Sequence, residues 1–306
     1  MNLTGSKIDG TRIDGSLDKL FRDLEKIRDM GAKAVELPIH GLDAIFNGKL
    51  RRERLEKIVN ILGNFEFQYS IHSPNPLNLM DMDLPELHKD VLLATLEFAR
   101  IIRAKIVVLH PGRFLPEERF FIYPVKNPNL SQKKKMLEKE AVILQSAARQ
   151  YPDIFIALEN ARPYLDLSPY TYAESIQELK TQVININREN VKINLDFGHL
   201  YMTSVFYQYD LMDAVIDIRD LVVHTHVHDN FGRAVHHYEK IQTHQLPFGR
   251  GDSHMPPGFG DLPIKKIIKT LLPDYKGMFM LELRSRYFND IKESCNKIKS
   301  IVDQCF

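Results

Sequence analysis

The chain has no tryptophan and only two cysteines among 306 residues. Cys295 and Cys305 both fall near the end of the chain and lack CxxC spacing, which excludes a disulfide framework and a thiolate zinc module. No apolar run approaches the roughly 20 residues that span a bilayer, and the opening MNLTGSKIDG lacks the apolar core of a secretion signal. The expected compartment is therefore the cytosol. An excess of one charge is also missing. Lys and Arg number 41 against 40 Asp and Glu, a formal charge of +1, so a polyanion would have to be met by a local patch. No glycine-rich phosphate loop follows any strand-like run, which argues against an open dinucleotide-binding sheet.

What the chain does have is a core-forming composition, 44% hydrophobic and 26% charged, and 12 histidines. Short Val-, Ile- and Leu-rich runs alternate with amphipathic segments. Helices are expected at 16–30, 50–62, 85–104, 130–150, 172–186, 210–218, 263–272 and 289–302. Between them lie the strand-like runs AKAVELP, FEFQYSIH, KIVVLHPG, IFIALEN, VKINLDFGH, LVVHTHVHDN and GMFMLELR, with a weaker first strand inside 3–13. Eight buried strands with helical crossovers predict a parallel sheet closed as a (β/α)8 TIM barrel, expected to be one domain over 1–306. The loop at 231–261 exceeds the usual connection length, as functional loops often do.

A TIM barrel builds its active site at the C-terminal strand ends. Strand three ends in His72, four in His110, five in Glu159 and six in Asp196, followed by His199; seven carries His224, His226 and His228 before Asp229, and eight ends in Glu282. One such residue is ordinary, as a hydrogen-bonded core histidine or an ion-pair partner. Six consecutive strands converging on one mouth indicate a metal site. Mixed imidazole and carboxylate donors suit Zn, Mn, Fe or Co better than Ca. By period two, Ala157 shares a face with Glu159 and Met280 with Glu282, so both carboxylates point inward above an apolar plug, where a cation would offset the cost of burying them. His224 and His228 are expected to support the ligands by hydrogen bonds, His40 and His88 to lie at the surface, and His236, His237 and His244 to contact substrate or water. Tyr201 and its aromatic neighbours read as helix packing or a pocket wall.

The set YSIHSPNPLNL, VVLHPG, IALEN, NLDFGH, HVHDN, GDSHMPPGFGD and LELR resembles the xylose isomerase-like TIM-barrel superfamily from about Val35 to Arg284. That superfamily includes sugar and sugar-phosphate isomerases and epimerases and also endonuclease IV. Resemblance to the epimerases implies one divalent cation held by Glu159, Asp196, His226 and Glu282, with the two glutamates as acid and base. It also implies His199 as a substrate-oxygen ligand and Arg233 as a substrate-binding arginine. Resemblance to endonuclease IV implies further ligands at His72, His110, His199, Asp252 and His254, and as many as three ions. Asn75 and Pro76 stand where that enzyme carries an aromatic wedge.

The reading favoured by the sequence is a Zn-, Mn- or Co-dependent isomerase or epimerase of a small sugar, sugar phosphate or polyol. The alternatives are a zinc phosphodiesterase acting on abasic-site DNA and a barrel that binds metal or sugar without catalysis. Intact Glu159 and Glu282 argue against the last of these.

Overall fold

The computed structural model describes residues 3–121, 127–272 and 274–305. Eight strands run parallel and close in chain order: β1 Thr4–Lys7, β2 Ala34–Pro38, β3 Gln68–His72, β4 Ile106–Leu109, β5 Phe155–Glu159, β6 Val191–Asp196, β7 Val222–Val227 and β8 Phe279–Leu281. The seam between β1 and β8 aligns Thr4 with Phe279, Gly5 with Met280 and Ser6 with Leu281. This is a TIM barrel, as the alternation of buried strands and helices predicts.

Period two in each strand divides the apolar side chains into two layers. Ala34, Ile106, Val108, Ala157, Met278 and Met280 fill the barrel interior. Val35, Leu37, Val107, Leu109, Ile156, Leu158, Ile193 and Leu195 point outward and are sealed by the helices. Helix Leu17–Asp29 shows the local logic: Leu20, Leu24 and Ile27 form its buried stripe, and Ser16 Oγ accepts the Lys19 N–H at 3.3 Å. Helix Pro85–Ile101 begins with proline, which fits the first helical turn because its missing N–H needs no partner there. Among the described residues, no helix is long and apolar enough to cross a membrane.

Three local expectations are corrected. The run VKINLDFGH leaves the sheet at Asp196, whose Oδ1 accepts the His199 N–H at 2.7 Å and caps a new helix, Phe197–Tyr207. That helix takes up Tyr201, which packs against the outer core. β3 begins only at Gln68, because Phe65 and Phe67 stack on each other at the N-terminal rim with ring centroids 5.8 Å apart. The helix expected from Leu50 begins at Arg52, because Ile45–Phe46 and Lys49–Leu50 pair as a small antiparallel ribbon. Its turn, Asn47-Gly48, takes φ of 46° and 74°, the positive values a tight hairpin requires.

The long loop is anchored to the barrel. Asp229 and Met255 exchange backbone bonds of 2.8 and 3.1 Å. The Asp229 carboxylate also accepts the N–H groups of Asn230, Gly258 and Leu262. Loop side chains are thereby fixed over the barrel mouth.

Candidate functional site

Above the interior plug, the strand ends bring together Lys7, Glu36, His72, His110, Glu159, Asp196, His226, His228 and Glu282, and the loop adds Asp252 and His254. Among the described residues, four groups, three of them sharing members, place one donor atom per residue within 4.8 Å of one another: Glu159, Asp196, His226 and Glu282; His72, His110 and Glu159; His199, His228, Asp252 and His254; and Glu36, His72 and His226.

In the first group, His226 Nδ1 lies 3.0 Å from Glu159 Oε2, 3.1 Å from Glu282 Oε2 and 3.8 Å from Asp196 Oδ2. Asn194 Nδ2 donates to Glu159 Oε2 at 2.9 Å, and Lys7 Nζ forms an ion pair with Glu282 Oε1. Glu159, Asp196 and His226 are essentially inaccessible to solvent. Burial pulls the His226 imidazole toward neutrality, but Glu36, Glu282 and Glu159 outweigh it and hold its pKa well above 6.5. Burial works in the opposite sense on the glutamates. The charge of His226 and bonds from His110 and His199 hold Glu159 well below its ordinary value, as Lys7 and His226 do for Glu282.

His72 Nε2 and His110 Nε2 lie 3.7 Å from the two oxygens of Glu159. The His72 Nδ1 bond to Ser73 O at 2.8 Å directs its other nitrogen into the site. Burial depresses His110 to about 4, which favours the neutral imidazole a metal requires.

In the third group, His199 Nε2 and His254 Nε2 lie 3.1 and 2.8 Å from Asp252 Oδ2, and His228 Nε2 lies 3.0 Å from Asp196 Oδ1. Two backbone features make this possible. Gly198 leaves room for the His228 ring, which a Cβ would approach to 2.0 Å. His254 adopts φ 47°, and its side chain returns to the pocket that holds Asp252. Burial opposes charge on His199, but Asp196 and Asp252 raise its pKa well above 6.5.

The residues fit a divalent cation. Among the described residues, His72 Nε2, His228 Nδ1 and Asp252 Oδ1 are buried without a hydrogen-bond partner, whereas buried polar atoms are normally satisfied. Each belongs to one of the donor groups. Imidazole and carboxylate donors without thiolate suit Zn, Mn or Co.

The mouth is a cavity of about 490 Å³ lined by Lys7, His40, Arg162, Lys240 and Arg284. Arg162 Nη1 lies 3.3 Å from Asp252 Oδ2. A larger groove of about 1010 Å³ opens at the N-terminal rim beside Phe65, Phe67 and Phe155, but it contains none of the donor residues.

All the metal candidates named from the sequence lie in this cluster, but Arg233 does not. It is exposed, with Nη1 donating to Phe248 O at 3.1 Å, whereas Arg162, Arg284 and Arg286 line the mouth. His237 is buried against Asp166 at 2.7 Å rather than facing substrate or water, and His40 lines the mouth. Sequence reasoning missed Lys7 and Glu36 and gave His228 only a supporting role. The signal for Glu36 was present, because Ala34 and Glu36 repeat the pattern of Ala157 and Glu159.

A family described as the xylose isomerase-like TIM barrel matches residues 24–301. An uncharacterised protein of Methanocaldococcus jannaschii is 22% identical over 293 residues, which cover 93% of this chain and 94% of that protein. Among solved structures, a D-tagatose 3-epimerase-like protein superposes with a TM-score of 0.71 at 20% identity, covering 99% of this chain and 98% of the other. An L-ribulose 3-epimerase gives 0.71 at 13% identity, covering 100% and 96%. A xylose isomerase-like TIM-barrel protein of Mycobacterium smegmatis, in complex with magnesium, gives 0.71 at 15% identity, covering 100% and 98%. At these identities the structural likeness speaks for the fold.

Proposed function

We propose that this chain, which belongs to the xylose isomerase-like TIM-barrel family, is a divalent-metal-dependent isomerase or epimerase of a sugar, sugar phosphate or related polyol. The carrying observation is the convergence of Glu159, Asp196, His226 and Glu282, whose donor atoms lie within 4.8 Å of one another at the barrel mouth. The sugar epimerases among its structural neighbours support the substrate class.

Glu159, Asp196, His226 and Glu282 would hold the ion, which when bound polarises a carbonyl and its adjacent hydroxyl and so acidifies the intervening C–H. Glu159 and Glu282 approach from different strands, so one removes the carbon-bound proton and the other returns it. Lys7 holds Glu282 Oε1 and leaves Oε2 directed into the site. His199 and Arg162 supply donors for substrate oxygens at the mouth. The anchored loop helps to exclude water.

The test is elemental analysis of protein purified without added metal, followed by solvent-deuterium exchange into ketoses and ketose phosphates with Mn, Co and Zn supplied in turn. Bound metal and metal-dependent exchange support the reading. A metal-free chain that neither binds these ions nor exchanges a substrate proton refutes it.

The groups His72–His110–Glu159 and His199–His228–Asp252–His254 favour a second reading, a multinuclear phosphodiesterase acting on abasic-site DNA. Three ions per chain and efficient cleavage of an abasic duplex would establish that alternative. Exposed Asn75 and Pro76 after His72 provide no aromatic wedge for that task.

A further inference from the structure

His226 has two ring nitrogens in different surroundings. Nδ1 faces Glu159, Glu282 and Asp196, whereas Nε2 lies 2.8 Å from Glu36 Oε1. Glu36 is fully buried on β2, and its ion-pair partners are two imidazoles, with no lysine or arginine among them in the described residues. Its other oxygen, Oε2, accepts from Ser70 Oγ at 2.9 Å and lies 2.9 Å from His224 Nε2. A side chain that only filled this space could be apolar, like Ala34, Val108 and Met280 in the plug beneath. A carboxylate here bears the cost of burial, and its position is fixed by donors from β3 and β7.

We propose that Glu36 is a positioning residue: it accepts the Nε2–H of His226, fixes the plane and tautomer of that ring, and so makes Nδ1 the metal-binding atom. Ser70 and His224 hold Glu36 in turn. The inference rests on the metal-dependent reading above and assigns Glu36 no contact with ion or substrate. A metal-bound imidazole commonly donates its other N–H to a carboxylate, and losing that partner typically lowers metal affinity by about 10–100-fold. Glu36→Gln preserves the side-chain size but removes the charge, so the Nε2–H of His226 is left with a neutral acceptor in place of the stronger, charge-assisted one.

The experiment titrates zinc alone into the chelator-stripped full chain and its Glu36→Gln and Ser70→Ala variants by calorimetry, with circular dichroism as the check on folding. The expected result is a loss of about 10–100-fold in affinity for Glu36→Gln at unchanged stoichiometry, with a smaller loss in the same direction for Ser70→Ala. In the zinc-loaded wild type, histidine ring ¹⁵N spectra should show Nδ1 of His226 bound to metal and Nε2 protonated. This measurement decides the question even if Glu36→Gln fails to fold. Unchanged zinc affinity in folded Glu36→Gln overturns the proposal. So does loss of a whole equivalent of zinc, which would make Glu36 a ligand, or zinc bound at Nε2. A wild type that binds no divalent ion overturns the metal-dependent reading itself, a result distinct from a positioning failure.

Discussion

Metal loading should expel a proton, and its source can be named. In the metal-free protein, burial opposes charge on His226, but Glu36, Glu282 and Glu159 raise its pKa well above 6.5, so at neutral pH both ring nitrogens carry protons. The Nε2 proton points to Glu36, whereas the Nδ1 proton occupies the donor position that a cation would need. Glu159 and Glu282 are held well below their ordinary range, against the effect of burial, and are already ionised. One ion entering this group should therefore release one proton. Affinity should rise about tenfold, or about 1.4 kcal/mol, per pH unit near neutrality, and should level off once the pH passes the raised imidazole pKa. Ions in the His199–His228–Asp252–His254 group would make the slope steeper, because the carboxylates overcome burial there too and raise both His199 and His228. Calorimetry in two buffers of different ionisation enthalpy counts the protons directly. No proton release, with constant affinity from about pH 6 to about pH 8, would refute this account of the charge balance.

Glu159→Gln should weaken metal binding and reduce proton exchange by about 10²-fold or more, measured by elemental analysis and deuterium incorporation. His254→Ala should lose at least one ion per chain if the outer group binds metal, whereas unchanged stoichiometry would restrict binding to the inner group. An abasic-site duplex should remain largely uncut under conditions that support sugar exchange; efficient cleavage lost on Glu282→Gln would instead promote the phosphodiesterase reading. Away from the site, Asp210 caps helix Leu211–Ile218 by accepting two N–H groups. Asp210→Ala should cost about 1 kcal/mol in denaturant unfolding and leave zinc affinity unaltered.

The barrel was legible because its strands are buried on both faces and stand out as apolar runs such as IVVL and FIALE. The donors at His72, Glu159 and Asp196 could be located because a strand end is also a position in space. Lys7 was hidden because β1, TGSK, has no apolar run to mark its direction. Glu36 sits within AVELP, where a lone carboxylate reads as an ordinary ion-pair partner, and its imidazole partners come from distant β7. Arg233 was assigned from its place in the chain, but the loop course at 231–261 carries its guanidinium to Phe248. Local sequence signals reveal strands and caps; loop placement depends on contacts far apart in sequence.

The ion pair between Lys7 and Glu282 joins the barrel's first and last strands. During synthesis, the segment bearing His72, Glu159, Asp196 and His226 emerges before Glu282, and the seam cannot close until β8 is available. The inner donor group is therefore incomplete until the last strand of the barrel has docked beside the first, so any cation that needs all four donors can be held only by the closed barrel.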